Sequence, residues 1–230
     1  MTDTLAQIQD EIIGCELCPR LRAYRRQVAR TRRRQWATEE YWGHPVPGWG
    51  DARAELLLVG LAPAAHGGNR TGRIFTGDRS GDFLFAALFR AGLAELPTSL
   101  HRGDGQRLRR TYISAAARCA PPANLPTREE FARCRPYLER ELRLLPRLRV
   151  MISLGGLAHR QLLLALQTLG WITSPADYPF AHGADFALPH GRWLCGCYHP
   201  SQQNTFTGRL TPEMMDAVLA QAMGKIRQHR

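Results

Sequence analysis

Two stretches of the chain carry side chains able to act on one bond. The first, L-A-P-A-A-H-G-G-N-R-T-G-R-I-F-T-G-D-R-S-G-D at residues 61–82, follows an apolar run, E-L-L-L-V-G, and holds His66, Asn69, Phe75 and Asp78 among closely spaced glycines. The second, H-P-S-Q-Q-N-T-F-T-G-R at residues 199–209, follows the apolar run at 193–198. An unperturbed Asp titrates at about 4, so Asp78 is read as a carboxylate near neutrality. A carboxylate beside developing positive charge and a histidine beside a departing anion would suit a cleavage that generates an anion. Glycines let backbone amides approach a ligand, and Phe75 offers a stacking face.

The cysteines suggest a second kind of chemistry. Cys15 and Cys18 form a C-x-x-C, and Cys119 and Cys134 follow far downstream, the former among Pro121, Pro122 and Pro126. Four thiolates at such positions can hold tetrahedral zinc or a 4Fe–4S cluster, and the spacing does not choose between them. Cys195 and Cys197 alternate along one strand and read as small core residues. A disulfide framework is not expected, because the N-terminus has neither the basic start nor the apolar core of a secretory signal and no apolar run reaches 18 residues. The expected setting is the cytosol, with no membrane partner.

The elements that must position these residues alternate between strand and helix. Residues 55–60 have the length and apolar density of a buried parallel strand, and helical spacing resumes at 83–90. Strands are also expected at 112–117, 148–154 and 193–198. A helix capped by Thr127, with Glu130 at capping-box spacing, follows the second strand; another spans 157–169, and the last opens at Thr211-Pro212. Ahead of them lie a helix at 4–14 and an arginine-rich helix starting at Pro19. The expected fold is α/β: a single three-layer domain over residues 1–230, with a central, mostly parallel four-stranded sheet flanked by helices on both faces. The N-terminal helices at 4–36 would be held to the core by the cysteines. Both reactive loops then sit at carboxyl ends of strands, where open α/β sheets bind ligands. Residues 35–54 read as an irregular connection, with Trp42 and Trp49 as packing residues.

Lys and Arg number 31 against 20 Asp and Glu, a net charge of +11, and Lys225 is the only lysine. Arginine suits phosphate recognition, so a polyanion is the expected partner, although an arginine-favouring genome would raise the same count. Eight arginines between Arg20 and Arg34 have no acidic residue among them. They would repel one another unless an anion lies nearby.

The two loop motifs and the order and spacing of the four cysteines together resemble the uracil-DNA glycosylase superfamily, specifically its iron–sulfur-containing family 5, the B type. The resemblance covers the chain from Cys15 to the last helix. It implies a 4Fe–4S cluster on Cys15, Cys18, Cys119 and Cys134, and a monomeric, monofunctional DNA glycosylase that flips a deaminated base out of the duplex and leaves an abasic site. By that similarity the amides from Gly60, Leu61 and Ala62 onward contact the base carbonyls and Phe75 stacks on the base. Asp78 stabilises the sugar cation and orients water, His199 donates to the departing base, and Asn204 holds water, sugar or phosphate. Asn69, Arg70, Gln202, Gln203 and Arg209 are candidates for DNA contact, and Gln202, Gln203 or Phe206 for the wedge that fills the vacated stack. Two departures from the related family 4 pattern stand out. Ala115 occupies the place of an Asn that reads the uracil edge, and Leu61 that of an acidic residue, so hypoxanthine and xanthine are expected to fit beside uracil. No lysine stands in either motif to form a Schiff base. The rival reading, a non-catalytic cluster- or zinc-bearing nucleic-acid-binding module, accounts for the arginines and the C-x-x-C but leaves Phe75, Asp78 and His199 unexplained.

Overall fold

The computed structural model describes residues 3–228; the outermost residues of the 1–230 domain expectation lie outside them. A six-stranded sheet runs in the order β1 (Trp49–Gly50), β3 (Thr111–Ala115), β2 (Leu56–Gly60), β4 (Val150–Leu154), β6 (Arg192–Cys197) and β5 (Asp185–Leu188). The four inner strands are parallel, and the two edge strands pair antiparallel with their neighbours. The four-stranded expectation therefore missed both edges. Strand β1 is two residues long inside a glycine- and proline-rich stretch, and β5 is only partly buried, so neither carries the apolar run that marks an inner strand.

Why the inner strands are apolar throughout follows from their alternation. Leu56 and Leu58 of β2 enter one core layer, with Ile113, Val150, Ile152, Cys195 and Cys197; Leu57 and Val59 enter the other, with Tyr112, Met151 and Leu194. Helices α4 (Arg79–Arg90) and α8 (Pro212–Gln228) cover the first layer through Leu84, Phe85, Met215, Val218 and Leu219. Helices α5 (Arg128–Leu144) and α6 (Gly156–Thr168) cover the second through Leu138, Leu142, Leu162 and Leu166. Two covered faces leave no room for polar alternation. Cys195 and Cys197 are core residues, as their alternation implied.

The N-terminal segment supplies α1 (Leu5–Ile13), with Ile8 and Ile12 buried, and α2 (Pro19–Thr31), with Leu21 and Val28 buried. On α2 the unpartnered-arginine expectation needs correction. Arg22, Arg25 and Arg26 pair with Glu16, and Arg20 pairs with Glu130 of α5. The partners come from outside the run, where counting acids within it could not find them. Arg30, Arg32, Arg33 and Arg34 remain exposed and without a carboxylate partner among the described residues.

Candidate active site

The segment after β2 is more ordered than a polar loop. It contains a one-turn helix, α3 (Gly68–Thr71), and α4 begins at Arg79, four residues before the expected Phe83, because Asp78 caps it. The Asp78 carboxylate accepts from the Gly81 N–H at 2.9 Å, while a Cβ on Gly67 would collide with its Oδ2. Phe75 has φ +53, a left-handed conformation that is strained for a bulky residue. Two glycines make that conformation fit: the Phe75 ring lies over Gly60, where a Cβ would meet Cε2 at 2.8 Å, and a Cβ on Gly81 would strike the Phe75 carbonyl.

A buried polar group locks the turn from below. Arg73 donates to Asp104 at 2.5 Å, Ser99 at 2.7 Å and Thr76 at 3.0 Å, and its guanidinium lies 4.6 Å from the centre of the Trp49 ring. The Gly77 N–H donates to the Ser99 carbonyl at 2.8 Å. Asn69 and Arg70, expected on the DNA side, are placed inward. Asn69 is fully buried and donates from Nδ2 to the Arg25 carbonyl at 3.2 Å; Arg70 donates to the His66 and Gly77 carbonyls, both at 2.8 Å, and pairs with Glu39. These contacts are what a side chain positioning the loop makes, and both side chains are buried.

His199 arrives from the end of β6. Its ring centroid lies 5.8 Å from that of Phe75 with the planes tilted by 34°. The short helix α7 (Gln202–Phe206) follows, and Asn204 Nδ2 donates to the His199 carbonyl at 2.8 Å. Asn204, expected to hold water, sugar or phosphate, is thus fixed to the His199 backbone. Burial pushes the His199 imidazole down to about 4, so the ring is neutral at physiological pH. Desolvation raises the Asp78 carboxyl above its ordinary value, with the N–H groups of Gly81 and Ser80 opposing the shift. The expectation of an unperturbed Asp78 is corrected accordingly.

A cavity of ≈ 270 Å³ opens beside His199, lined also by Leu61, Phe180, Tyr198, Asn204 and Arg209. Gln202, Gln203 and Arg209 are exposed around it, and Phe206 is 70% exposed. Ala115 pairs with Gly60 across the β2–β3 ladder and is fully buried; Leu61 and Ala62 pack on Ala116, Ala117, Phe131 and Cys134. Asp78 does not line this cavity; it sits at the N-cap of α4. Sequence reasoning missed Phe180 and Tyr198, which lie outside both loop motifs, and the Arg73–Asp104 pair, whose partners are separated by a whole helix. The Gly155-Gly156 pair after β4, which also lines the cavity, was visible as a strand-end glycine signal.

The four cysteines expected to act together line one small cavity, walled otherwise by Leu17, Leu21, Pro45, Glu16 and the arginines 22, 25 and 118. All four are free thiols. Burial pushes Cys119 up to about 12 and Cys134 to about 11, so ionisation there calls for compensating positive charge. No three His, Cys, Asp or Glu side chains among the described residues are grouped as they would be around a single metal ion.

The uracil DNA glycosylase superfamily model matches residues 47–222. The chain is 51% identical over 211 residues to the Type-5 uracil-DNA glycosylase of Thermus thermophilus, covering 92% of this chain and 93% of that one. It is 50% identical over 220 residues to the Type-5 enzyme of Mycobacterium leprae, covering 95% and 94%. To a Type-4 uracil-DNA glycosylase of Pyrobaculum aerophilum the identity falls to 31% over 160 residues, 69% of this chain and 64% of that one. Matched along nearly its whole length at this level, the chain belongs to the uracil-DNA glycosylase superfamily, among its Type-5 members.

Proposed function

We propose that the chain is a monofunctional DNA glycosylase that hydrolyses the N-glycosidic bond of uracil in DNA and accepts larger deaminated bases such as hypoxanthine and xanthine. The observation that carries this reading is the facing pair Phe75 and His199, brought together at the ends of two strands beside a base-sized cavity. Arg30 and Arg32 to Arg34, exposed and without a carboxylate partner among the described residues, suit a DNA backbone.

In the proposed reaction the flipped base lies against the Phe75 ring, with amides from Gly60 to Ala62 near its carbonyls. As the C–N bond breaks, its electron pair leaves on the base and positive charge builds on the sugar. Asp78 lies on the sugar side, where its carboxylate opposes that charge and takes a proton from the attacking water. A neutral imidazole retains one N–H, and His199 donates a hydrogen bond from it to the base oxygen as charge develops there. Water's oxygen ends on the sugar as a hydroxyl, its other proton passes through Asp78 to solvent, and the base leaves as an anion that takes up a proton from solvent. Asn204 holds the His199 backbone, and Gln202, Gln203 and Arg209 meet the DNA, with Phe206 the most exposed candidate for the wedge. Ala115 cannot hydrogen-bond a base edge, which supports the broader base range.

The cysteine cavity fits a 4Fe–4S cluster held by Cys15, Cys18, Cys119 and Cys134. Four thiols line it, and the Nε–H groups of two buried arginines of its wall have no hydrogen-bond partner among the described residues. When bound, such a cluster would supply a cross-link between the N-terminal helices at 4–36 and the core, making residues 1–230 one domain. The proposed setting is a monomer in a prokaryotic cytosol; no helix among the described residues is long and apolar enough to cross a membrane.

The test is incubation of duplex DNA containing U opposite G. Free uracil and strand cleavage that appears only after alkali are expected. Salt-dependent DNA binding with no base release would favour the non-catalytic binding module instead, and cleavage without alkali would exclude a monofunctional enzyme. Parallel duplexes carrying hypoxanthine and xanthine test the base range.

A further inference from the structure

The wall of the cysteine cavity contains two cations whose hydrogen bonding is incomplete. Arg25 and Arg118 both line it and are 0% and 1% exposed. Arg25 enters from α2 with Nη1 on the Gly43 carbonyl and Nη2 on Glu16 at 2.5 Å. Arg118 follows β3, and its Nη1 and Nη2 hold Glu141 at 3.1 and 2.6 Å. In each guanidinium the Nη groups are occupied, whereas Nε is buried and without a hydrogen-bond partner among the described residues. Native proteins rarely leave a buried donor of this strength unmade, because it has lost its water and gained nothing. Here both arginines line one cavity. Glu16, which also lines it, takes Arg25 and Arg26 on Oε1, and its Oε2 is buried without a hydrogen bond, in an ion pair with Arg22 at 3.4 Å. Besides Glu16, the four cysteine sulfurs are the side-chain acceptors of the wall.

We infer that Arg25 and Arg118 donate their Nε–H groups to the sulfurs of the iron–sulfur cluster held by Cys15, Cys18, Cys119 and Cys134, and that these bonds govern its reduction potential and its retention in air. The inference rests on the cluster reading proposed above. Hydrogen bonds to cluster sulfurs favour the more negative, reduced state and withdraw electron density from the sulfur that oxidants attack. The carboxylate pairs balance the formal charges of the two arginines, so the effect belongs to the directed N–H groups more than to net charge. Lysine at either position keeps a cation and removes the Nε–H.

Anaerobically purified parent protein, Arg25→Lys and Arg118→Lys would be compared by iron and acid-labile sulfide per chain, by EPR-monitored redox titration, and by the half-life of the visible absorbance in air. Both variants are expected to bind the cluster, with a potential shifted negative and a shortened half-life. Parental potential and half-life in variants that carry a full cluster would overturn the inference. If Arg118→Lys does not fold, as its melting curve would show, Arg25→Lys still decides for its own bond. Resonance Raman spectra of the parent in H₂O and D₂O need no variant: shifted Fe–S stretching bands support N–H···S bonds, and unchanged bands after full exchange overturn them. A parent chain holding zinc, or no metal, would defeat the cluster reading itself and is told apart by the iron and sulfide analysis. Base release by that same chain would leave the glycosylase reading standing.

Discussion

Phe75 and His199, with ring centroids 5.8 Å apart, come from the segments that follow two strands that do not pair: β4 lies between β2 and β6 in the sheet. The contact spans the crevice where open α/β sheets bind ligands. It depends on Phe75 holding a left-handed backbone conformation over a glycine, so the stacking face is built from strain that neighbouring packing must maintain.

Gly60→Ala tests that dependence. The new Cβ would lie 2.8 Å from Phe75 Cε2 and 3.0 Å from Cζ, so the ring must tilt or the turn must shift. Overpacking of this kind costs about 1–3 kcal/mol. The expected result is a lowered melting temperature together with a loss of uracil release larger than the stability change explains. Full activity would show that the ring position over Gly60 is not needed.

His199→Gln keeps a hydrogen-bonding side chain but removes the imidazole. Turnover is expected to fall by roughly 10²–10⁴ with DNA affinity retained, the range for a lost acid–base or charge-stabilising group. With its folded value at about 4, the parental ring carries no charge above about pH 5. The pH–rate profile should therefore show no limb near the ordinary histidine value of about 6.5. In the folding equilibrium the unfolded chain binds this proton first. The stability present above about 6.5 is lost as pH falls toward 4, and His199→Gln should flatten that slope in part, since burial also lowers His159 and His182.

Asp78→Asn separates capping from chemistry. Asn caps a helix about as well as Asp, so α4 should keep its start, whereas Asp78→Ala should lose about 1 kcal/mol. Burial raises the folded carboxyl above 3.8, so ionising it costs stability as pH rises through that window. Asp78→Asn is thus expected to match or exceed the parent in thermal stability at neutral pH, with turnover reduced by two or more orders of magnitude, roughly, for a lost catalytic base. The acid limb of the profile should disappear with it and persist in His199→Gln.

Arg209→Ala and Arg70→Lys should diverge. Arg209 is exposed beside the cavity, 4.7 Å from the centre of the Tyr198 ring. Removing one phosphate contact should lower the slope of log affinity against log salt by about 1. Arg70 is buried against two carbonyls and Glu39, so Arg70→Lys should lower the melting temperature and leave the salt slope unchanged. A changed slope in Arg70→Lys would place that side chain on DNA after all.

What the sequence made legible, and what it hid, divides along a physical line. Runs such as L-L-L-V-G announce inner strands because both faces are covered, and the Thr127–Glu130 capping box is local in the chain, with both reciprocal bonds formed. Edge strand β5, half open to water, carries no such run. Loop motifs marked Phe75, Asp78 and His199 but not which way their neighbours point: Asn69 and Arg70 look like polar loop residues until α3 turns them inward. Arg25 lies on the same helical face as Leu21 and Val28, and that spacing was the one local sign of its burial. Arg73 and Asp104 meet only through the fold, and no spacing rule reaches across the helix that separates them.

That pair yields the sharpest stability test. Both side chains are 7% exposed, and Asp104 also accepts from the backbone N–H groups of Leu100 and Gln106 at 2.7 and 2.9 Å. Despite its burial, Arg73 and these N–H groups hold the carboxyl down at about 2. The folded value lies below the unfolded one, so the stabilisation is complete above about pH 4 and is lost as pH falls through 2. Asp104→Ala leaves the Arg73 cation buried without its partner, a change that typically costs about 3–5 kcal/mol. The melting temperature at neutral pH should fall accordingly, and the acid-induced loss between pH 4 and 2 should shrink. Because Arg73 also holds Thr76 and Ser99, and the Ser99 carbonyl anchors Gly77 next to Asp78, the folded fraction of the variant should release uracil more slowly. Unchanged turnover per folded molecule would confine the pair to stability and leave Asp78 positioned by its cap alone.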